Sequence, residues 1–193
     1  MNDRPRSVWQ GERVRLRAVR ESDWETFNAW DQDDEMGRSG SWIAFPRSPE
    51  ATRRWTAETA TAEPKDDGYR WVIERLDETP VGTILTHTCD RRNGTFSYGV
   101  AIARDHWRQG YASEAIRLVL HYFFEELGYG KVTVNVYEFN GASIKLHERL
   151  GFQREGRLRR MVFTRGRHHD VLVFGMTAED LADPANAVRS WPR

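Results

Sequence analysis

The chain has 193 residues, 39% of them hydrophobic and 30% charged, enough for one α/β domain with a sizeable core and short for two. Its 29 basic and 29 acidic residues cancel to a formal charge of zero, so no global field draws it to nucleic acid, a membrane surface or a polyanion. The single cysteine, Cys89, excludes an intramolecular disulfide framework. The polar start MNDRPRSVWQGE lacks the apolar core of a secretory signal, and no apolar run approaches the roughly 18–20 residues of a spanning helix. A soluble, cytoplasmic protein is expected, with neither a nucleic acid nor a membrane as partner.

In chain order, Val14, Leu16 and Ala18 alternate with Arg13, Arg15 and Arg17, the period-two signature of a half-buried first strand. Ser22 or Asp23 offers an N-cap for a helix carrying Trp24, Phe27 and Trp30, and a second helix begins after Ser48 with Pro49 in its first turn and Trp55 on its apolar face. The segment from Glu21 to Glu35 is strongly acidic: Glu21, Asp23, Glu25, Asp31, Asp33, Asp34 and Glu35 occur with no Lys or Arg among them. Tyr69 to Arg75, Val81 to Thr88 and Thr95 to Ile102 read as strands broken by turn-forming stretches around Asp77 to Pro80 and Asp90 to Gly94. Ala112, Ala115, Ile116, Val119 and Phe123 recur at helical spacing, predicting a long amphipathic helix over Ala112 to Leu127 closed by Gly128. Val132, Val134 and Val136 make another strand, Asn140 to Leu150 a helix ended by Gly151, and Phe152 onward two strands to Met176. The last of these segments is rich in arginine: Arg154, Arg157, Arg159, Arg160, Arg165 and Arg167. This order predicts an α/β (α+β) fold, a mixed, largely antiparallel sheet of about seven strands flanked by about four helices. The tail from Pro184 is expected to be loose.

The stretch from Val100 to Ala115 is a strand, a short connection and a helix start. The first amides of a helix lack intrahelical partners and sit at the positive end of its dipole, so backbone alone can hold a pyrophosphate there. Gly110 and Ala112 keep the approach open, and Arg108 and Gln109 add donors at the rim. With no Gly-Lys-Ser/Thr and no Gly-x-Gly-x-x-Gly, neither a nucleoside-triphosphate loop nor a Rossmann site is expected. In the helix after it, Asn140, Ser143 and His147 are spaced three and four apart and share a face, whereas Ala142, Leu146 and Leu150 form another suited to the core. His168, His169 and Asp170 are consecutive in a strand, where neighbours point to opposite faces, so no metal site is expected.

Trp107-Arg108-Gln109-Gly110-Tyr111-Ala112-Ser113-Glu114-Ala115 resembles the acetyl-coenzyme A pyrophosphate loop of the GNAT acetyltransferases. Asn140-Gly141-Ala142-Ser143 followed by Leu150-Gly151-Phe152 resembles the family's Asn-x-x-Ser helix and Leu-Gly-Phe turn. Glu155 to Leu158 and Gly166 to Val171 resemble the closing strands of the branch containing ribosomal-protein N-terminal and spermidine acetyltransferases. The resemblance spans Val8 to Met176 and implies a single catalytic domain over residues 8–176 with a tail at 177–193. It implies acetyl-coenzyme A as cosubstrate, held by Ala101, Ile102, Arg108, Gln109, Gly110, Tyr111, Ala112, Ser113, Asn140, Ser143, Lys145 and His147. It also implies a homodimer, since many relatives dimerise.

Within that resemblance, position 147 lies beside the sulfur, where many relatives carry a tyrosine as general acid. His147 is then the expected proton donor to the departing thiolate, its unperturbed pKa of about 6.5 suiting it to neutral pH, and Ser143 is the reserve. Ser97 stands where relatives often place a glutamate base, so deprotonation of the amine through ordered water is expected. The acceptor side of the family corresponds to the two early helices, which bring acidic residues together with aromatics. Trp30, Asp33, Asp34, Glu35, Trp42 and Phe45 are therefore the expected acceptor-binding residues, for a cationic amine held by carboxylates and aromatic faces. The expected reaction is direct acetyl transfer to a primary amine of a small metabolite or amino-acid-like acceptor. An N-terminal protein or peptide acetyltransferase and a noncatalytic acyl-coenzyme A binding module remain as alternatives.

Overall fold

The computed structural model describes residues 7–40 and 43–182. The chain runs β1 (Val14–Ala18), α1 (Trp24–Trp30), α2 (Asp34–Gly40), α3 (Pro49–Ala60), β2 (Arg70–Arg75), β3 (Pro80–Asp90), β4 (Thr95–Ile102), α4 (Tyr111–His121), β5 (Lys131–Tyr137), α5 (Gly141–Arg149), β6 (Gln153–Thr164), β7 (Arg167–Thr177) and α6 (Ala178–Ala182). The seven strands form one sheet in the order β1-β2-β3-β4-β5-β7-β6. Neighbours β1/β2, β2/β3, β5/β7 and β6/β7 are antiparallel, and β4/β5 is parallel, with the register Thr95 to Lys131 and Phe96 to Val132. The mixed, mainly antiparallel sheet is as expected. The described residues contain six α-helices rather than about four, α2 and α6 being the additions.

Helix α2 escapes sequence reading because Gly37, Ser39 and Gly40 give it little intrinsic propensity. It forms because Asp33 accepts the orphan amides of Glu35 and Met36 at 2.9 and 3.1 Å, and because Met36 is buried. Helix α3 begins as predicted, with Ser48 capping Ala51 N–H at 3.1 Å and Pro49 in the first turn. Helix α4 is shorter than the predicted Ala112 to Leu127. Its ladder changes at Tyr122 into a π-helical turn over Tyr122–Glu126, and Gly128 (φ +73°) closes the element. The wider turn lets two consecutive aromatics, Phe123 and Phe124, both be buried.

Two compact units are distinguished by their internal contacts: the described residues up to His87 with Gly99–Tyr122, and Thr88–Tyr98 with those from Phe123 onward. In the first, Val14, Leu16, Val72, Ile73, Val81 and Ile84 of the sheet and Ala115, Ile116 and Val119 of α4 are buried. Each such branched side chain contributes about 1.5–3 kcal/mol by leaving water. A second cluster, Val19, Phe27 and Val72 with Trp30 and Trp55 packed on it, seats α1 against α3. In the second unit, Phe96 stacks on Phe123 with centroids 4.2 Å apart, and Val132, Val134, Phe174 and Met176 complete the core. Strand β7 ends at Thr177, and Asp180 of α6 accepts the Thr177 amide at 2.9 Å. The rest of the expected tail, residues 183–193, lies outside the described residues.

Candidate active site

The connection from β4 to α4 is built by two backbone reversals. Ala103 is buried, a 3-10 turn covers Arg104–His106, and Trp107 donates its indole N–H to the Ile102 carbonyl at 2.7 Å. Arg108 (φ +61°) and Gly110 (φ +84°) then adopt left-handed backbone, and α4 starts at Tyr111. Arg13, from the residue before β1, braces this turn twice. Its Nη1 donates to the Gln109 carbonyl at 3.0 Å, and its amide donates to the Glu114 carboxylate at 3.0 Å. The left-handed φ at position 110 favours glycine, and a Cβ there would lie 2.7 Å from Arg13 Nη1 and displace that side chain. The result is a helix start whose first N–H groups have no intrahelical acceptor, with exposed Arg108 and Gln109 beside it and Ala112 and Ser113 in the first turn. That donor set fits a pyrophosphate. Ala101 and Ile102 end β4 just before it, half-buried, with the Ile102 carbonyl already taken by Trp107.

The second cluster sits on α5. Asn140 caps the helix, its Oδ1 accepting the Ser143 amide at 3.0 Å. His147 is 3% exposed, with Nδ1 2.8 Å from the Ser143 carbonyl oxygen and Nε2 2.9 Å from the Tyr98 hydroxyl on β4. Ser143 Oγ lies 3.4 Å from Nδ1. Burial pushes the His147 pKa down, and the bond to the Ser143 carbonyl offsets this only in part. Helix geometry thus brings Asn140, Ser143 and His147 together as expected, while Lys145 points to solvent.

Both ring nitrogens of His147 are engaged in this arrangement. A carbonyl oxygen only accepts, so Nδ1 carries a proton toward Ser143, while the Tyr98 hydroxyl beside Nε2 can donate or accept. The Ser143 hydroxyl lies 3.4 Å from Nδ1, a long approach for a hydrogen bond.

The acceptor residues divide. Trp30, Asp33 and Asp34 line an open cavity of about 660 Å³ together with Met36, Arg104, Asp105 and His106. Trp30 also packs on Phe27 with centroids 5.7 Å apart, so it serves core and cavity wall at once. Glu35 is not among the lining residues and faces Arg38 at 3.7 Å. Phe45 is 97% exposed and is not among the residues lining this cavity. Trp42 lies outside the described residues. Asp33 is committed as well: besides capping α2 it accepts from Arg104 Nη2 at 2.5 Å. Burial opposes its ionisation, but the bonds from Arg104 and the α2 amides outweigh that and hold its carboxyl below the ordinary range. Sequence reading missed Arg104, Asp105 and His106 as cavity residues, although they stand directly before the glycine turn and carry the only signal available, an Arg-Asp-His run at a strand end.

Among the described residues no group of three or more His, Cys, Asp or Glu side chains is arranged to hold a metal ion. His169 is buried beside Glu138, and Asp170 accepts from Arg157 and the Arg160 amide instead. No helix of the described residues is long and apolar enough to cross a membrane.

Residues 13–153 match the acetyltransferase (GNAT) domain. The chain belongs to this family. It is similar to YokL, an uncharacterized N-acetyltransferase derived from the SPbeta prophage of Bacillus subtilis, with 42% identity over 90% of this chain and 95% of that one. It is also similar to YoaA, an uncharacterized N-acetyltransferase of the same organism, at 31% identity over 88% and 96% of the two chains. In fold it resembles the spermidine N-acetyltransferase of Vibrio cholerae, solved in complex with CoA and spermine, with a TM-score of 0.76 over 90% of this chain and 100% of that one at 21% identity.

Proposed function

We propose that this chain transfers the acetyl group of acetyl-coenzyme A to the primary amine of a small metabolite or amino-acid-like acceptor, by direct attack and within one catalytic domain over residues 8–176. The observation that carries the reading is the Arg13-braced, left-handed Gly110 turn that opens the start of α4 to an anion. The amides of Arg108 to Ser113 would hold the pyrophosphate, and Asn140 and Ser143 are the residues that would hold the pantetheine arm. Bound acetyl-coenzyme A supplies the thioester. Ser143 Oγ–H, or a water, would supply the proton to the sulfur as the thioester C–S bond breaks and the C–N bond forms. The amine loses its proton to ordered water, since β4 carries Ser97 and no carboxylate at the base position. Acetyl-coenzyme A consumption should be stimulated by small cationic amines in a library that also contains peptides with free N-termini. Preference for peptides selects the N-terminal reading, and no stimulation by any amine leaves only acyl-coenzyme A binding.

The acidic cavity beside Trp30 supports a cationic acceptor, and of its carboxylates Asp34 and Asp105 take no part in the α2 cap. Asp34→Asn is expected to raise the acceptor KM about two- to fivefold with little change in kcat. The effect should shrink as salt rises from low ionic strength, because exposed charges are screened. An acceptor KM unchanged at low salt would remove Asp34 from recognition.

A further inference from the structure

We infer that Tyr98 is a positioning residue, whose buried hydroxyl donates to Nε2 of His147 and through that ring holds the Asn140–Ser143 turn in place for the cofactor arm. The functional half of this inference rests on the acetyl-coenzyme A reading above; the hydrogen-bond half does not.

The direction of each bond follows from elimination. Nδ1 of His147 faces a carbonyl oxygen at 2.8 Å, which has no proton, so Nδ1 must carry one. Were Nε2 protonated too, the ring would be an imidazolium. The groups packed against it are the Tyr98 hydroxyl from β4, Ser143 from its own helix, and the rings of Phe152 and Phe174, at centroid distances of 5.0 and 5.9 Å. None of these is charged, so nothing there balances a buried cation. Nε2 is therefore a lone pair, and the Tyr98 hydroxyl 2.9 Å away is the donor. Tyr98 is itself buried, and burial pushes its pKa well up, so it keeps its proton.

The chain of bonds then runs in one direction. Tyr98 O–H donates to Nε2, Nδ1–H donates to the Ser143 carbonyl, and Ser143 N–H donates to Asn140 Oδ1. The ring cannot rotate without breaking both of its bonds, and the Ser143 carbonyl is fixed by one of them. This gives a reason for a histidine at position 147: its two nitrogens, one donor and one acceptor, join strand to helix, which a phenol with a single oxygen does less well.

Nitrogen NMR of the substrate-free protein tests the first half. At neutral pH His147 should show a protonated Nδ1 and an unprotonated Nε2, with its titration displaced below that of an ordinary histidine. A protonated Nε2 at neutral pH, or titration at or above the ordinary value, overturns the inference. For the second half, coenzyme A affinity is measured for wild type, Tyr98→Phe, His147→Phe and the double variant. Tyr98→Phe is expected to weaken binding about three- to tenfold, as is His147→Phe. The double variant is expected to be no weaker than either, because Tyr98 acts through His147. Unchanged affinity in Tyr98→Phe, or losses that add in the double variant, overturn it. Failure of wild type to bind coenzyme A would instead overturn the acetyl-coenzyme A reading and the functional half with it. Should Tyr98→Phe fail to fold, the double variant, which leaves neither partner orphaned, is compared with His147→Phe alone: a further loss of affinity overturns the inference and none upholds it.

Discussion

Gly110→Val is expected to raise the dissociation constant for acetyl-coenzyme A at least about tenfold while the chain remains folded. Two costs combine. The backbone at 110 is left-handed, φ +84°, which costs a residue with a side chain roughly 1–2 kcal/mol, more when it is β-branched. The new Cβ would also stand 2.7 Å from Arg13 Nη1, so Arg13 must move, and its bond to the Gln109 carbonyl goes with it. The strain is a cost to the fold, whereas the displaced brace and the added bulk fall on the donor set proposed for the pyrophosphate. Gly128 separates the two effects. It has φ +73° and nothing within 4 Å of a built Cβ, so Gly128→Ala carries backbone strain with no obstruction of the turn. Both variants should lose stability, and only the Gly110 variant should lose affinity. Equal affinities for the two, measured by direct titration of folded protein, would take the pyrophosphate off this turn.

The elements that sequence reading placed well are those whose signal is local. The alternation of β1, the Ser48-Pro49 start of α3 and the α4 stripe through Ala115, Ile116 and Val119 depend on neighbours in the chain, and all three recur in the structure. What was not legible depends on distant partners. Helix α2 exists because of a cap and one buried methionine, the π-helical turn because Phe123 must reach Phe96, and the cavity because Arg104 crosses to Asp33. The spacing of Asn140, Ser143 and His147 correctly put them on one face, yet spacing says nothing about what stands opposite. Tyr98 comes from a strand, 49 residues earlier in the chain, and its hydroxyl faces His147 Nε2 at 2.9 Å. Arg15 and Arg17 look in sequence like the wet side of a half-buried strand. In the structure they face a carboxylate that occupies a buried run of β2.

That carboxylate, Glu74, carries a large expected stability effect: Glu74→Ala should destabilise the fold by about 3–5 kcal/mol. Glu74 is 1% exposed and accepts from Arg15 Nε at 2.5 Å and from Arg17 Nε. Arg17, 11% exposed, continues the network to Asp23 through two bonds of 2.8 Å. Removing the carboxylate leaves Arg17 its bidentate partner Asp23 but orphans its Nε–H at a nearly buried site, and opens a void. At about 2–4 °C per kcal/mol for a chain of this size, the melting temperature should fall by roughly 6–20 °C. Burial works against ionisation of Glu74, but the bonds from Arg17 and Arg15 outweigh it and lower its folded pKa. Its contribution is therefore complete above the unfolded carboxyl range of about 4.3 and is lost as pH falls through the lower folded value. Glu74→Gln, which keeps the shape and removes the charge, should flatten that acid limb of the stability curve. Arg15→Ala is the milder comparison, since Arg15 is more exposed and shares itself with solvent-facing Glu78. A loss below about 1 kcal/mol in Glu74→Ala, or an acid limb in Glu74→Gln as steep as in wild type, would show that the network is carried by Arg17 and Asp23 alone.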